Sequence, residues 1–91
     1  MQQTLSIIIS GKVQGVFFRQ NAREKALELG LTGQVKNLED GDVHIIASGT
    51  KEQLAVFADW CKKGPPRAVV TGVEISEIPL KEFDRFTIIR L

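Results

Sequence analysis

The sequence predicts an α+β sandwich: an antiparallel sheet of four to five strands with two helices packed on one of its faces. Three observations lead there. Two segments carry apolar residues at helical spacing, four or five carry them in alternation or short runs, and an Asp-Gly pair separates the two middle strands. The order is therefore βαββαβ with one strand added.

From Thr4 to Ser10, Leu5, Ile7 and Ile9 fall on one face and Thr4, Ser6, Ile8 and Ser10 on the other, the pattern of a first strand. After a glycine-bearing loop, Phe18, Ala22, Ala26 and Leu29 recur at helical spacing, and Gly30 is placed to end that helix in the left-handed conformation. Val35 to Leu38 and Val43 to Ser48 flank Glu39-Asp40-Gly41-Asp42, where Asp40 and Asp42 serve as turn formers in a hairpin. Thr50, followed three residues later by Gln53, matches a capping box. Leu54, Phe57, Ala58 and Cys61 then form the apolar stripe of a second helix, with Trp60 beside it, and Gly64, Pro65 and Pro66 end it. Val69, Thr71, Val73 and Ile75 alternate in a fourth strand, and after Pro79 the segment Arg85 to Arg90 makes a short fifth. Two strand-helix-strand halves joined by a hairpin give the split-βαβ, ferredoxin-like arrangement. Many unrelated functions use that architecture, so function has to be read from sites.

Ninety-one residues with 43% hydrophobic and 25% charged content predict one domain, residues 1–91, with one compact core and much of its surface in water. Twelve Lys and Arg against eleven Asp and Glu leave a net charge of +1, too little field to hold a nucleic acid. Any phosphate site must be local. Met1 to Ser10 has no basic flank or small-residue cleavage site, and no apolar run approaches membrane-spanning length, so neither a signal peptide nor a membrane partner is expected. The one cysteine, Cys61, cannot form an internal disulfide, which points to the cytoplasm.

The first informative segment is Gly11-Lys12-Val13-Gln14-Gly15-Val16-Phe17-Phe18-Arg19. Its glycines let the backbone turn tightly, and successive amides at a helix N-terminus can converge on an anion. Arg19 adds a planar fork able to hold two phosphate oxygens at once. The segment lacks the Lys-Ser/Thr ending of a nucleotide-binding P-loop and has no carboxylate partner for magnesium, so neither ATP, a cofactor nor a metal is expected. Taken alone it is also an ordinary strand-to-helix turn, with Val16 and Phe18 in the core and Arg19 on the surface, and short glycine motifs are common enough to favour that reading.

The second segment, Gly33-Gln34-Val35-Lys36-Asn37-Leu38-Glu39-Asp40-Gly41-Asp42-Val43, changes the balance. Together the two resemble the signatures of the acylphosphatase family, and the likeness runs from the first strand to Phe86-Thr87-Ile88-Ile89. The resemblance implies that Arg19 binds the phosphate, that Asn37 orients the attacking water, and that Gln14, Gly15, Val16, Phe17 and Phe18 donate backbone amides to the phosphate. It implies cofactor-free cleavage of carboxyl-phosphate bonds, with acetyl phosphate, carbamoyl phosphate and 1,3-bisphosphoglycerate as typical family substrates. The partners expected are thus a small acyl phosphate and inorganic phosphate, and the chain is expected to stand alone as a monomer.

The residue inventory agrees with that chemistry. An asparagine amide both donates to and accepts from a water but takes no proton at neutral pH, so Asn37 positions rather than deprotonates. The first segment has no His, Cys or Glu to serve as nucleophile or general acid. An acyl phosphate suits that limit, because its leaving carboxylate is stable unprotonated and a phosphate oxygen can accept the proton of the attacking water. Phosphate monoesters, whose alkoxide leaving groups need an acid, are expected to be poor substrates.

His44 stands where many family members carry glutamate and is expected to be an exposed strand residue. Phe17 occupies a place that is glycine in many bacterial relatives. Cys61 belongs to the buried stripe rather than to a nucleophile's site. An RNA-binding module of this architecture would need aromatic residues on its central strands, where the third offers Val43, His44, Ile45 and Ile46. A phosphate- or metabolite-binding domain without turnover is the remaining alternative, since binding and hydrolysis would share Arg19 and the loop.

Overall fold

The computed structural model describes residues 1–90. Its elements are β1 (Gln2–Lys12), α1 (Phe18–Glu28), β2 (Thr32–Asn37), β3 (Val43–Thr50), α2 (Lys51–Lys63), β4 (Val69–Ile78) and β5 (Phe86–Ile89). They form one five-stranded sheet in the order β4-β1-β3-β2-β5, as a split-βαβ sandwich requires. Ile7, Ile9, Val35, Val43, Ile45 and Ala47 of the sheet bury one face against Phe18, Ala22 and Ala26 of α1 and Leu54, Phe57 and Cys61 of α2. Trp60 is half-buried, its ring 5.5 Å from that of Phe18 and 6.1 Å from that of Phe57. The two helices thus share one face.

Local chemistry sets the helix ends. After α1, Leu31 N–H donates to Ala26 O at 2.8 Å and Gly30 N–H to Leu27 O at 3.1 Å, with Gly30 at φ 78°. This is the Schellman termination that glycine makes easy. At the start of α2, Gln53 N–H donates to Thr50 Oγ1 at 3.2 Å while Thr50 N–H donates to Gln53 Oε1 at 2.8 Å, which completes the capping box.

Two expectations are corrected at the sheet edges. The sheet is mixed, because β5 runs parallel to β2 (Gly33 opposite Phe86, Lys36 opposite Ile89), while the other pairs are antiparallel. The cause is the crossover. β4 ends at Ile78 beside Thr4, the same end at which β2 begins, so residues 79–85 can enter β5 only in β2's direction. The crossover is fastened to the sheet's other face: Lys81 N–H donates to Thr4 Oγ1 at 2.9 Å, and Ser48 Oγ donates to Lys81 O at 2.7 Å. Thr4 and Ser48, 2.7 Å apart and buried, then satisfy each other.

The second correction concerns β4. A register shift at Ser10/Gly11 breaks its alternation, so Val73 and Val70 pack toward the core while Val69 and Thr71 are exposed. A bulge flips every side chain beyond it, which strict alternation cannot anticipate.

His44 is half-buried on the helix-free face rather than exposed, with Nε2 2.8 Å from Ser6 Oγ and Lys36 opposite it across the β2–β3 pair. Partial burial and, secondarily, the Lys36 charge hold its pKa below the ordinary 6.5. The unfolded chain therefore binds this proton more readily than the folded one. His44 withdraws stability as the pH falls below about 6.5 and contributes none of this effect above it. We expect His44→Gln to gain in melting temperature relative to the parent between pH 7 and pH 5, with a constant difference above pH 7; thermal unfolding across that range checks it, and parallel curves would refute it.

Candidate active site

Between β1 and α1 the backbone takes two left-handed residues, Gly15 at φ 73° and Phe17 at φ 62°. At Gly15 this costs little, and a Cβ there would meet no atom within 4 Å, so only backbone faces that space. Phe17 is the one non-glycine residue at positive φ among the described residues, and it follows directly on Val16, which is buried. Burial of Val13, Val16 and Phe18 fixes the loop's inner side. Its rim is held by Gln14, whose Nε2 donates to Leu38 O and to Asp42 O, both at 2.8 Å. These carbonyls stand at the mouth of the β2–β3 hairpin, so one side chain locks the two segments together.

The loop's own amides are left over. Among the described residues, no N–H from Gln14 to Phe18 donates a hydrogen bond to backbone or side chain. Helix α1 starts with no side-chain cap and no acidic residue in its first turn, whereas α2 has its capping box and Glu52. The N-terminus of α1 therefore keeps free donors at the positive end of its dipole, the arrangement that attracts an anion.

Beside that loop lies a cleft of about 300 Å³ whose lining includes Gly15, Phe17, Phe18, Arg19, Asn37 and Arg90. A second, of about 210 Å³, is lined by Arg19, Lys36, Asn37 and Ile89. Arg19 and Asn37, eighteen positions apart in sequence, border both clefts. No Asp or Glu lines either, and Arg19 takes part in neither ion pair among the described residues. Three cations thus give a locally positive site on a nearly neutral chain. Asn37 Oδ1 is buried and without a hydrogen-bond partner among the described residues. Such an orphaned acceptor is costly in a folded core and calls for a reason.

The structure brings Arg19, Asn37, Gly15, Phe17 and Phe18 to one cleft. Gln14 and Val16 do not line it: Gln14's side chain is spent on the hairpin, and Val16 faces the core and a neighbouring groove. Arg90 carries no motif and enters only because β5 is parallel to β2, which sets the residue after Ile89 alongside Asn37. Cys61 is fully buried, and burial pushes its thiol up to about 12, so it is no nucleophile. His44 borders neither cleft. Free amides, a guanidinium fork and an unpaired amide oxygen suit a small dianion and one water, with no carboxyl, imidazole, hydroxyl or thiol in the lining to act as nucleophile or acid.

The sequence model of the family described as Acylphosphatase matches residues 5–88, which include both site segments. The chain is 44% identical over 84 residues to an acylphosphatase of Coxiella burnetii, covering 92% of this chain and 88% of that one. To an acylphosphatase of Marinobacter nauticus it is 51% identical over 81 residues, 88% of each. The crystal structure of acylphosphatase from Bacillus subtilis superposes with a TM-score of 0.93 at 37% identity, covering 99% of this chain and 100% of that one. Likeness of this extent, in sequence and in fold alike, shows that the chain belongs to the acylphosphatase family.

Proposed function

We propose that, in the acyl phosphate hydrolysis this family performs, Arg19 and the Gln14–Phe18 amides hold the phosphate and Asn37 places the attacking water. The orphaned Oδ1 of Asn37 carries the reading. A buried amide oxygen without a partner is an acceptor for one O–H of a water, which leaves the water's lone pair to be aimed at phosphorus. The water oxygen bonds to phosphorus as the phosphorus–acyl oxygen bond breaks. The carboxylate departs with the bonding pair, and the water's proton passes to a phosphate oxygen, giving a carboxylate and inorganic phosphate.

Arg19 grips two equatorial oxygens, and the free amides meet the charge that spreads over them. Arg90 and Lys36 add positive potential at the cleft walls. Three cations and no carboxylate in the lining disfavour a metal ion beside the phosphate, which supports a reaction run without one. The single core cluster supports one domain over residues 1–91, and a free, buried thiol supports a cytoplasmic location for a chain we take to act as a monomer.

Purified protein in excess EDTA should cleave acetyl or benzoyl phosphate and leave a phosphate monoester intact; no cleavage while phosphate still binds would sink the reading. Asn37→Ala should lose about a hundredfold in kcat, roughly 3 kcal/mol of transition-state stabilisation. Because it removes an orphaned acceptor, it should keep phosphate binding and leave the melting temperature unchanged or raised. Arg19→Lys keeps the charge without the fork, so about tenfold weaker inhibition by inorganic phosphate is expected together with slower turnover. A fully active Arg19→Lys enzyme would contradict the bidentate grip.

A further inference from the structure

Phe17 is held in two unfavourable circumstances at once. Its backbone is left-handed at φ 62°, which a bulky residue rarely adopts, and the residue is 64% exposed to water. Neither serves the core. Phe17 also borders two clefts: the one containing Arg19 and Asn37, and an adjoining groove of about 390 Å³ walled by Val16, Pro65 and Pro66, with Glu24 and Arg67 among its polar lining.

The direction of the reaction selects between the spaces around the phosphate. Attacking and leaving oxygens lie roughly in line across phosphorus. Asn37 borders the Arg19 cleft and the smaller cleft by Lys36 but not the Phe17 groove, so a water on Asn37 sends the leaving group away from itself. The Phe17 groove adjoins the Arg19 cleft through Phe17 and Gln20 and is not bordered by Asn37, and its walls are an aromatic ring and two proline rings.

We propose that this groove receives the acyl group of the substrate and that Phe17 is a specificity-determining residue favouring aromatic and bulky apolar acyl phosphates over small ones. This rests on the roles proposed above for Arg19 and Asn37. The strain and exposure of Phe17 are then repaid when a flat acyl group covers its ring.

The test compares kcat/KM for benzoyl phosphate and acetyl phosphate in the parent, Phe17→Gly, Phe17→Asn and Phe17→Trp. Gly and Asn both accept the left-handed backbone, so loop geometry survives without the ring, and inhibition by inorganic phosphate reports that the phosphate site is intact. The ratio of benzoyl to acetyl phosphate should fall about tenfold in the Gly and Asn variants and be retained in Phe17→Trp. A ratio that stays within about twofold of the parent's in the Gly and Asn variants overturns the acyl groove and leaves the phosphate site standing. A parent that cleaves neither substrate overturns both readings together.

Discussion

The site depends on one side chain, Gln14, bridging the chain's two informative segments. Its Nε2 reaches the carbonyls of Leu38 and Asp42 at 2.8 Å each, across 24 and 28 positions of sequence. Leu38 N–H also donates to Asp42 O at 2.8 Å, and Asp42 N–H to Asp40 Oδ1 at 3.0 Å, so the clamp lands on a hairpin mouth already closed by its own bonds. Arg19 stands a few residues after the clamp on one side, and Asn37 directly precedes it on the other. A tilt of the loop against the hairpin would change their separation, and a misplacement of about 1 Å is enough to cost much of the benefit of positioning. Gln14 thus sets geometry without facing the cleft.

Around that clamp, hydrogen-bonding capacity is distributed unevenly. The crossover hydroxyls of Thr4 and Ser48, the capping box of α2 and the Schellman end of α1 satisfy nearly everything they touch. The loop amides, the α1 N-terminus and Asn37 Oδ1 are left unpaired, and all of them lie at the end of the sheet where β1 and β2 finish. The buried one among them, Asn37 Oδ1, costs about 1–3 kcal/mol, and a strained φ at Phe17 a similar amount. That cost is carried by the aromatic and aliphatic cluster beneath, where Phe18 is both core and cleft floor. Rigidity below and unmet bonding above are two aspects of one arrangement.

Much of this was legible in the sequence, and the failures share a cause. Helix stripes, the capping box, Gly30 and the Asp-Gly hairpin are local signals, decided by residues within a turn or two of each other. The paired segments containing Arg19 and Asn37 were legible as motifs, with their roles carried by family resemblance. What could not be read was set by contacts distant in sequence. The β4 register follows from a bulge opposite Ser10 and Gly11, and the direction of β5 from a crossover pinned some 77 positions away at Thr4. Arg90 depends on that direction, and His44 on a Ser6 that reaches it from a neighbouring strand. Gln14 could be placed in a phosphate loop, but its side chain's two acceptors belong to a hairpin mouth 24 and 28 positions further along the chain.

The division of labour proposed between Arg19 and Asn37 also bears on product release. Inorganic phosphate keeps the oxygens that Arg19 and the amides recognise, so tightening that grip would hold product as firmly as substrate and slow turnover. Binding that favours ground state and transition state equally raises no rate. Asn37 differs, because its acceptor acts on a water that becomes part of the product, and the benefit is greatest while the new bond forms. The positive wall supplied by Arg19, Lys36 and Arg90 is local, and screening over about 8 Å at physiological salt confines its reach to the cleft. A nearly neutral protein with a small cationic cleft can therefore capture a dianion at close range without retaining the phosphate it makes, and the part of the transition-state stabilisation that does not also hold product comes from one uncharged amide.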